Sequence, residues 1–186
     1  MMKLLLHTCC GPCSIYPLES LRNDPAISDI TGFFFNPNIH PYTEWKARKT
    51  ALAEYASGVG LNMIFDDNYL LEEFIRGVVN HEDERCAFCY TLRLRRTARE
   101  AAAKSFDAFS TTLLVSPYQK HDLIISIGLS VADETGIEFV YRDFRPGYRN
   151  AVERSRELGM YRQKYCGCIY SEKDRYYLKK NRGGGS

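Results

Sequence analysis

Apolar and polar positions along this chain switch repeatedly between two patterns. Short apolar runs bounded by Asn, Pro, Gly or Asp predict buried strands over residues 3–8, 30–35, 61–65, 106–115 and 137–144. The stretches between them predict helices over 14–22, 42–57, 69–79, 86–104, 123–135 and 151–158, and a cysteine-bearing tail follows. In the second helix, helical spacing puts Trp45, Leu52 and Tyr55 inward and Glu44, Lys46 and Arg48 outward; Gly58-Val59-Gly60 ends it.

This alternation of short buried strands with helices predicts an α/β fold, a Rossmann-like parallel sheet flanked by helices. Such sheets bind ligands beyond the carboxyl ends of their strands. The segments at those ends here are Cys9-Cys10-Gly11-Pro12-Cys13, Asn36-Pro37-Asn38, Asp66-Asp67, residues 116–120 and residues 143–145. All are expected on one rim. Residues 1–182 are expected to form one domain, and Gly183-Gly184-Gly185-Ser186 a flexible tail.

No apolar run is long enough to cross a bilayer, and the N-terminal apolar stretch is short and interrupted by His7 and cysteines. A cytoplasmic protein with no membrane partner is therefore expected. A net charge of +2 says little about partners, but its distribution says more. Arg93, Arg95, Arg96 and Arg99 form one basic stretch; Arg142, Arg145, Arg149, Arg154 and Arg156 form another. Tyr141, Tyr148, Tyr161, Tyr165 and Tyr170 are interleaved with this second stretch and with the basic pair Arg162 and Lys164. Arginine with aromatics suits phosphate contacts and base stacking, although solvated helix faces produce the same pattern.

The chain's seven cysteines change the picture most. They fall in three groups, Cys9-Cys10-x-x-Cys13, Cys86-x-x-Cys89 and Cys166-x-Cys168. Close pairs separated by long gaps suit a thiolate metal site, because each turn supplies adjacent sulfurs and folding unites the turns. An odd count in a reducing compartment disfavours disulfides. Zinc and iron–sulfur clusters both accept thiolates. A four-cysteine zinc ribbon matches C-x-C and adjacent cysteines poorly, and a thioredoxin-like pair at Cys10 and Cys13 leaves the other groups unexplained. His40, His81 and His121 lack ligand spacing. The usual phosphate-loop and dinucleotide fingerprints are absent, so electrons are expected from an external carrier.

In order and spacing, His7-Thr8-Cys9-Cys10-Gly11-Pro12-Cys13, Asn36-Pro37-Asn38-Ile39-His40-Pro41, Arg85-Cys86-Ala87-Phe88-Cys89-Tyr90, residues 110–117 and Tyr161-Arg162-Gln163-Lys164-Tyr165-Cys166-Gly167-Cys168 resemble the QueH-type epoxyqueuosine reductases. The resemblance runs over residues 4–171, nearly the whole chain. It implies a fold similar to the PP-loop nucleotide-binding proteins, a [4Fe–4S] cluster and a second mononuclear ion, iron or zinc. It also implies reduction of epoxyqueuosine to queuosine in a tRNA anticodon loop. The cobalamin-dependent reductase of the same step has another fold and cofactor. Carried onto this chain, the resemblance assigns Cys10, Cys86, Cys89 and Cys168 to the cluster, and Cys9, Cys13 and Cys166 to the second metal. Some relatives carry Asp where Cys13 stands. Tyr90, Tyr118, Tyr165 and His7 are proton-donor candidates. Arg93, Lys120, Arg142, Arg145, Arg149 and Arg162 are candidate tRNA phosphate contacts. A zinc-stabilised tRNA-binding module and a thiol–disulfide oxidoreductase are the competing readings.

Overall fold

A computed structural model describes residues 1–182, with side chains as far as Tyr177; the expected tail at 183–186 lies outside the described residues. Five parallel strands form one sheet, β1 (Met2–His7), β2 (Ile27–Phe34), β3 (Asn62–Phe65), β4 (Ala108–Thr111) and β5 (Glu138–Phe139), in the order β3-β2-β1-β4-β5. The helices are α1 (Gly11–Arg22), α2 (Tyr42–Gly58), α3 (Leu71–Val78), α4 (Arg85–Ala103), α5 (His121–Thr135), α6 (Tyr148–Glu157) and α7 (Ile169–Arg182). Helices α1, α2 and α6 pack together on one face, and α3, α4 and α5 on the other. The predicted Rossmann-like sheet is the observed one. Among the described residues no helix is long and apolar enough to cross a membrane.

Helices cover the sheet on both sides and β1 is its central strand, so Leu4, Leu5 and Leu6 are all fully buried. They pack with Phe33, Phe109, Leu94 and Leu114 into the main core, which Cys9, Cys10 and Cys89 also join. The strand order reverses between β1 and β4, and the chain leaving β1 carries Cys9 and Cys10 into that crevice.

Two predicted strands are corrected, and the unassigned tail gains an element. The strand expected over 106–115 ends at Thr111, because the Thr111 hydroxyl accepts from the Leu113 N–H (3.2 Å) and starts a 3₁₀ turn over Thr112–Val115. The strand expected over 137–144 shrinks to Glu138–Phe139, whose ladder pairs only with Ala108 and Phe109. Once β4 turns away, nothing remains for a longer edge strand to pair with. The tail after Cys168 is helical, as α7.

Arg48 also departs from expectation. It is buried rather than outward, with its Nε donating to Glu44 (2.7 Å) and its two Nη atoms donating to the carbonyls of Cys166 (2.8 Å) and Tyr165 (3.0 Å). The guanidinium also lies 5.5 Å from the Tyr165 ring centre. The Tyr165 hydroxyl donates to the His40 carbonyl, and His40 N–H donates to Gly167 O (2.9 Å). Gly167 sits at φ 154°, where a Cβ would come within 2.9 Å of the Asn38 amide nitrogen. One arginine on α2 thus docks the Cys166–Cys168 turn, which belongs to no strand, onto the loop after β2.

Replacing Arg48 with Met removes the donor to Glu44 Oε1 and to two carbonyls, leaving Glu44 only the Tyr161 hydroxyl. The Arg48→Met variant is expected to lose about 3 kcal/mol of stability in urea unfolding. Limited proteolysis is expected to begin within residues 160–168. A single lysine nitrogen cannot reproduce the fork, so Arg48→Lys recovers only part. An unchanged unfolding midpoint for the Met variant contradicts the docking role.

Candidate metal centre

The first cysteine group is built by the end of β1 and the start of α1. Cys10 is the N-cap of α1 in extended conformation, and its side chain makes no capping bond. The sulfurs of Cys9, Cys10 and Cys13 all lie within 4.8 Å of one another, the distance class of a shared metal. Cys9 is held well below the usual thiol range, first by hydrogen bonds from the Cys10 and Cys13 thiols, then by the charge of Arg93 and a bond from Thr112, against its burial. Burial pushes the Cys10 thiol up, and bonding to Cys10 and Cys9 keeps Cys13 protonated. One thiolate held by two thiols exchanges their protons for a metal on binding.

The second group lies on the first turn of α4. Cys89 is buried and pushed up to about 12, mainly by that burial. The third group is the turn docked by Arg48. Cys166 is an exposed residue whose thiol is nonetheless raised, first by desolvation. Cys168 Sγ accepts from the Ser171 N–H (3.4 Å) at the start of α7.

Neutral amides and one cation knit the groups together. Gln119 accepts from the Tyr90 hydroxyl (2.7 Å) and donates to Cys166 Sγ (3.4 Å). Gln163 donates to Cys13 Sγ (3.4 Å) and Thr112 to Cys9 Sγ (3.5 Å). Arg93 donates to Cys89 Sγ (3.7 Å), to Asn36 Oδ1 (2.7 Å) and to His7 Nε2 (3.2 Å). His7 Nε2 also lies 3.3 Å from the Phe35 carbonyl, and its Nδ1 is hydrogen-bonded with the Thr111 hydroxyl (2.9 Å). Burial, then the charge of Arg93, lowers the His7 pKa to about 3.

The candidate residues separate by place. Tyr90 is buried beside the cysteines, and burial keeps its phenol protonated. Tyr165 is raised to about 12, first by burial, and its proton is directed to the His40 carbonyl. Tyr118 is 82 % exposed, edge-on to Tyr148 with ring centres 5.9 Å apart. Lys120, Arg145, Arg149 and Arg162 are exposed. Two of the phosphate-contact candidates already have partners within the fold. Arg93 is buried with every named donor directed inward, and Arg142 is tied to Asp24 and to Ser20 O (3.0 Å) at the far end of α1. His7 is fully buried, with its ring nitrogens engaged by Thr111, Arg93 and the Phe35 carbonyl.

Gln119, Gln163, Thr112 and Asn36 are contacts that spacing rules miss, because an amide or hydroxyl that bonds a thiol has no sequence pattern. Gln119 and Asn36 stand on predicted rim loops, which was the available signal; Thr112 falls within a predicted strand and Gln163 on no predicted rim segment. A concavity of about 850 Å³ between α1, α2 and α6 contains none of the seven cysteines. A smaller cleft of about 70 Å³ does touch the centre, lined by Cys13, Tyr148, Arg162 and Gln163 among others.

The chemistry of the donor set fits a soft-ligand metal group. Cysteine sulfurs predominate, with hydrogen-bond donors around them and no carboxylate paired with Arg93 among the described residues. Comparison with known proteins agrees with this geometry. A solved structure, the U34-tRNA thiolase NcsA from Methanococcus maripaludis with its [4Fe–4S] cluster, superposes with a TM-score of 0.57 at 13 % identity, covering 98 % of this chain and 68 % of that one, which shows the fold alone. The epoxyqueuosine reductase QueH of Dehalococcoides mccartyi is 36 % identical over 174 residues, 94 % of each chain. That of Thermotoga maritima is 36 % identical over 181 residues, covering 92 % of this chain and 91 % of its own. A family model described as epoxyqueuosine reductase QueH matches residues 4–174, a span that contains all three cysteine groups, and the chain belongs to that family.

Proposed function

We propose that this chain removes the epoxide oxygen of epoxyqueuosine at the wobble position of a tRNA, leaving queuosine, without cobalamin. The balance requires two electrons and two protons, and the oxygen leaves as water. The observation that carries this reading is the Cys9–Cys10–Cys13 group at the switch point of the sheet, with Arg93, Gln119 and Gln163 reaching sulfurs of all three groups, beside exposed aromatic and basic residues. Membership of the reductase family supports the substrate.

We assign Cys10, Cys86, Cys89 and Cys168 to a [4Fe–4S] cluster, and Cys9, Cys13 and Cys166 to a second ion, iron or zinc. Cys10 stands beside Cys9 and Cys13, so the two sets share a border. When bound, the cluster supplies single electrons and the second ion polarises the epoxide oxygen. The electrons come from an external donor. Tyr90 is the best-placed proton source of the four candidates. It is 3 % exposed, its phenol stays protonated, and its hydroxyl already points to Gln119 beside Cys166. Lys120, Arg145, Arg149 and Arg162 serve the phosphates of the anticodon loop, and Tyr118 stacks on a splayed base. Residues 1–182 act as one catalytic domain in the cytoplasm.

Anaerobically purified protein is expected to contain iron and labile sulfide and to convert epoxyqueuosine-containing tRNA, read by nucleoside mass spectrometry. Zinc without sulfide, persisting after reconstitution, favours a tRNA-binding module instead. Cys86→Ser is expected to lower turnover by more than about a hundredfold, beyond the loss of an outer partner. A redox pair at Cys10 and Cys13 predicts no such loss.

Two tyrosines separate chemistry from binding. Tyr90→Phe is expected to reduce kcat by about a hundredfold with iron content retained. Tyr118→Ala is expected to raise KM by about tenfold at unchanged kcat, the scale of one lost base stack. Equal effects of the two substitutions on kcat contradict these roles.

A further inference from the structure

Arg93 is buried at 2 % exposure, yet no carboxylate pairs with it among the described residues. The contrast with Arg48 is direct, because that buried guanidinium is neutralised by Glu44 at 2.7 Å. Asn36 and His7, two of the partners of Arg93, are neutral. The protein thus keeps a permanent positive charge in its interior, a costly arrangement without a counter-charge nearby. The groups able to supply negative charge are the thiols. Arg93 touches Cys89, and its field also reaches Cys9 and Cys166, so it acts on a member of each cysteine group.

We propose that Arg93 is the fixed counter-charge of the thiolate centre, a positioning residue that favours metal capture and raises the reduction potential of the bound iron–sulfur group. This rests on the metal centre argued above. Its physical basis is simple. Thiolates drawn together repel one another, and a cation among them offsets part of that repulsion. A cluster gains negative charge on reduction, so the same cation favours the reduced state. The orientation is fixed by two contacts outside the cysteines: Asn36, itself held by donation to Thr8 O (2.9 Å), and His7, held by Thr111 (2.9 Å). The charge therefore sits in place before any metal arrives.

The test compares wild type with Arg93→Lys, Arg93→Met and Asn36→Asp. Arg93→Lys keeps the charge and loses the fork. Arg93→Met removes the charge. Asn36→Asp keeps the guanidinium and neutralises it through a carboxylate at the position of the present 2.7 Å contact. Each apoprotein is titrated with Co(II), read by thiolate-to-cobalt absorption, and each reconstituted protein is titrated for its midpoint potential. The Met and Asp variants are expected to bind Co(II) about tenfold more weakly, the scale of an outer-shell loss, and to titrate at more negative potential. The Lys variant is expected to stay near wild type in both.

Met and Asp variants that match wild type in affinity and potential overturn the proposal. So does a folded Lys variant that fails as badly as Met, because bonding geometry rather than charge then carries the effect. If Arg93→Met does not fold by circular dichroism, the Asp and Lys variants decide. A wild-type protein without thiolate-to-cobalt absorption overturns the metal centre itself, a result distinct from variants that bind as wild type does.

Discussion

Sulfurs brought together at one rim repel one another as soon as they ionise, and the surrounding structure is arranged around that repulsion. Water would screen it, but Cys9, Cys10 and Cys89 are buried. The protein substitutes fixed donors for solvent. Thr112, Gln119, Gln163 and the Ser171 amide each donate to a different thiol, and Arg93 supplies the full charge. Each of these donors comes from a different part of the chain from the sulfur it serves, except the amide of Ser171 and Arg93, which lie three and four residues from Cys168 and Cys89. The centre is therefore a product of tertiary structure and cannot be assembled by any one motif.

The fold answers the geometric half of the same problem. A parallel sheet turns all its carboxyl ends to one side, and the reversal between β1 and β4 opens a crevice there. The first cysteine group falls in that crevice because it follows β1 directly. The second arrives on α4, which packs against β1 and β4. The third has no strand to place it, so the buried Arg48–Glu44 pair and the His40 backbone hold it instead. Arg48 thus acts where secondary structure alone does not position sulfur, whereas Arg93 meets a sulfur of its own helix.

Much of this was legible in the sequence for specific reasons. The Leu4-Leu5-Leu6 run reads as a central strand because only a strand covered on both faces is apolar at every position. The cysteine groups read as a metal site because their spacing has few other uses. The errors also have causes. Residues 106–115 look like one apolar strand, but Thr111 caps its own turn, and hydroxyl-to-backbone bonds carry no periodicity. Arg48 and Arg93 look like surface charges, since arginine seldom lies fully buried. Their partners are remote, the carbonyls of Tyr165 and Cys166 for one, His7 and Asn36 for the other. No local window contains both ends of such a contact.

The placement of the cysteines bears on what kind of metal site this is. In a structural zinc module the metal itself supplies the folding energy, because little core exists without it. Here Cys9, Cys10 and Cys89 belong to the same apolar cluster as Leu5, Phe33, Leu94 and Phe109, all fully buried. That core follows from the sheet and its covering helices. A scaffold stable without the metal leaves the thiols free to be organised for reactivity rather than for support. The neutral donors that surround them, the inward phenol of Tyr90 and the exposed ring of Tyr118 fit that division, with a dry interior for electrons and protons and a wet mouth for a polyanion.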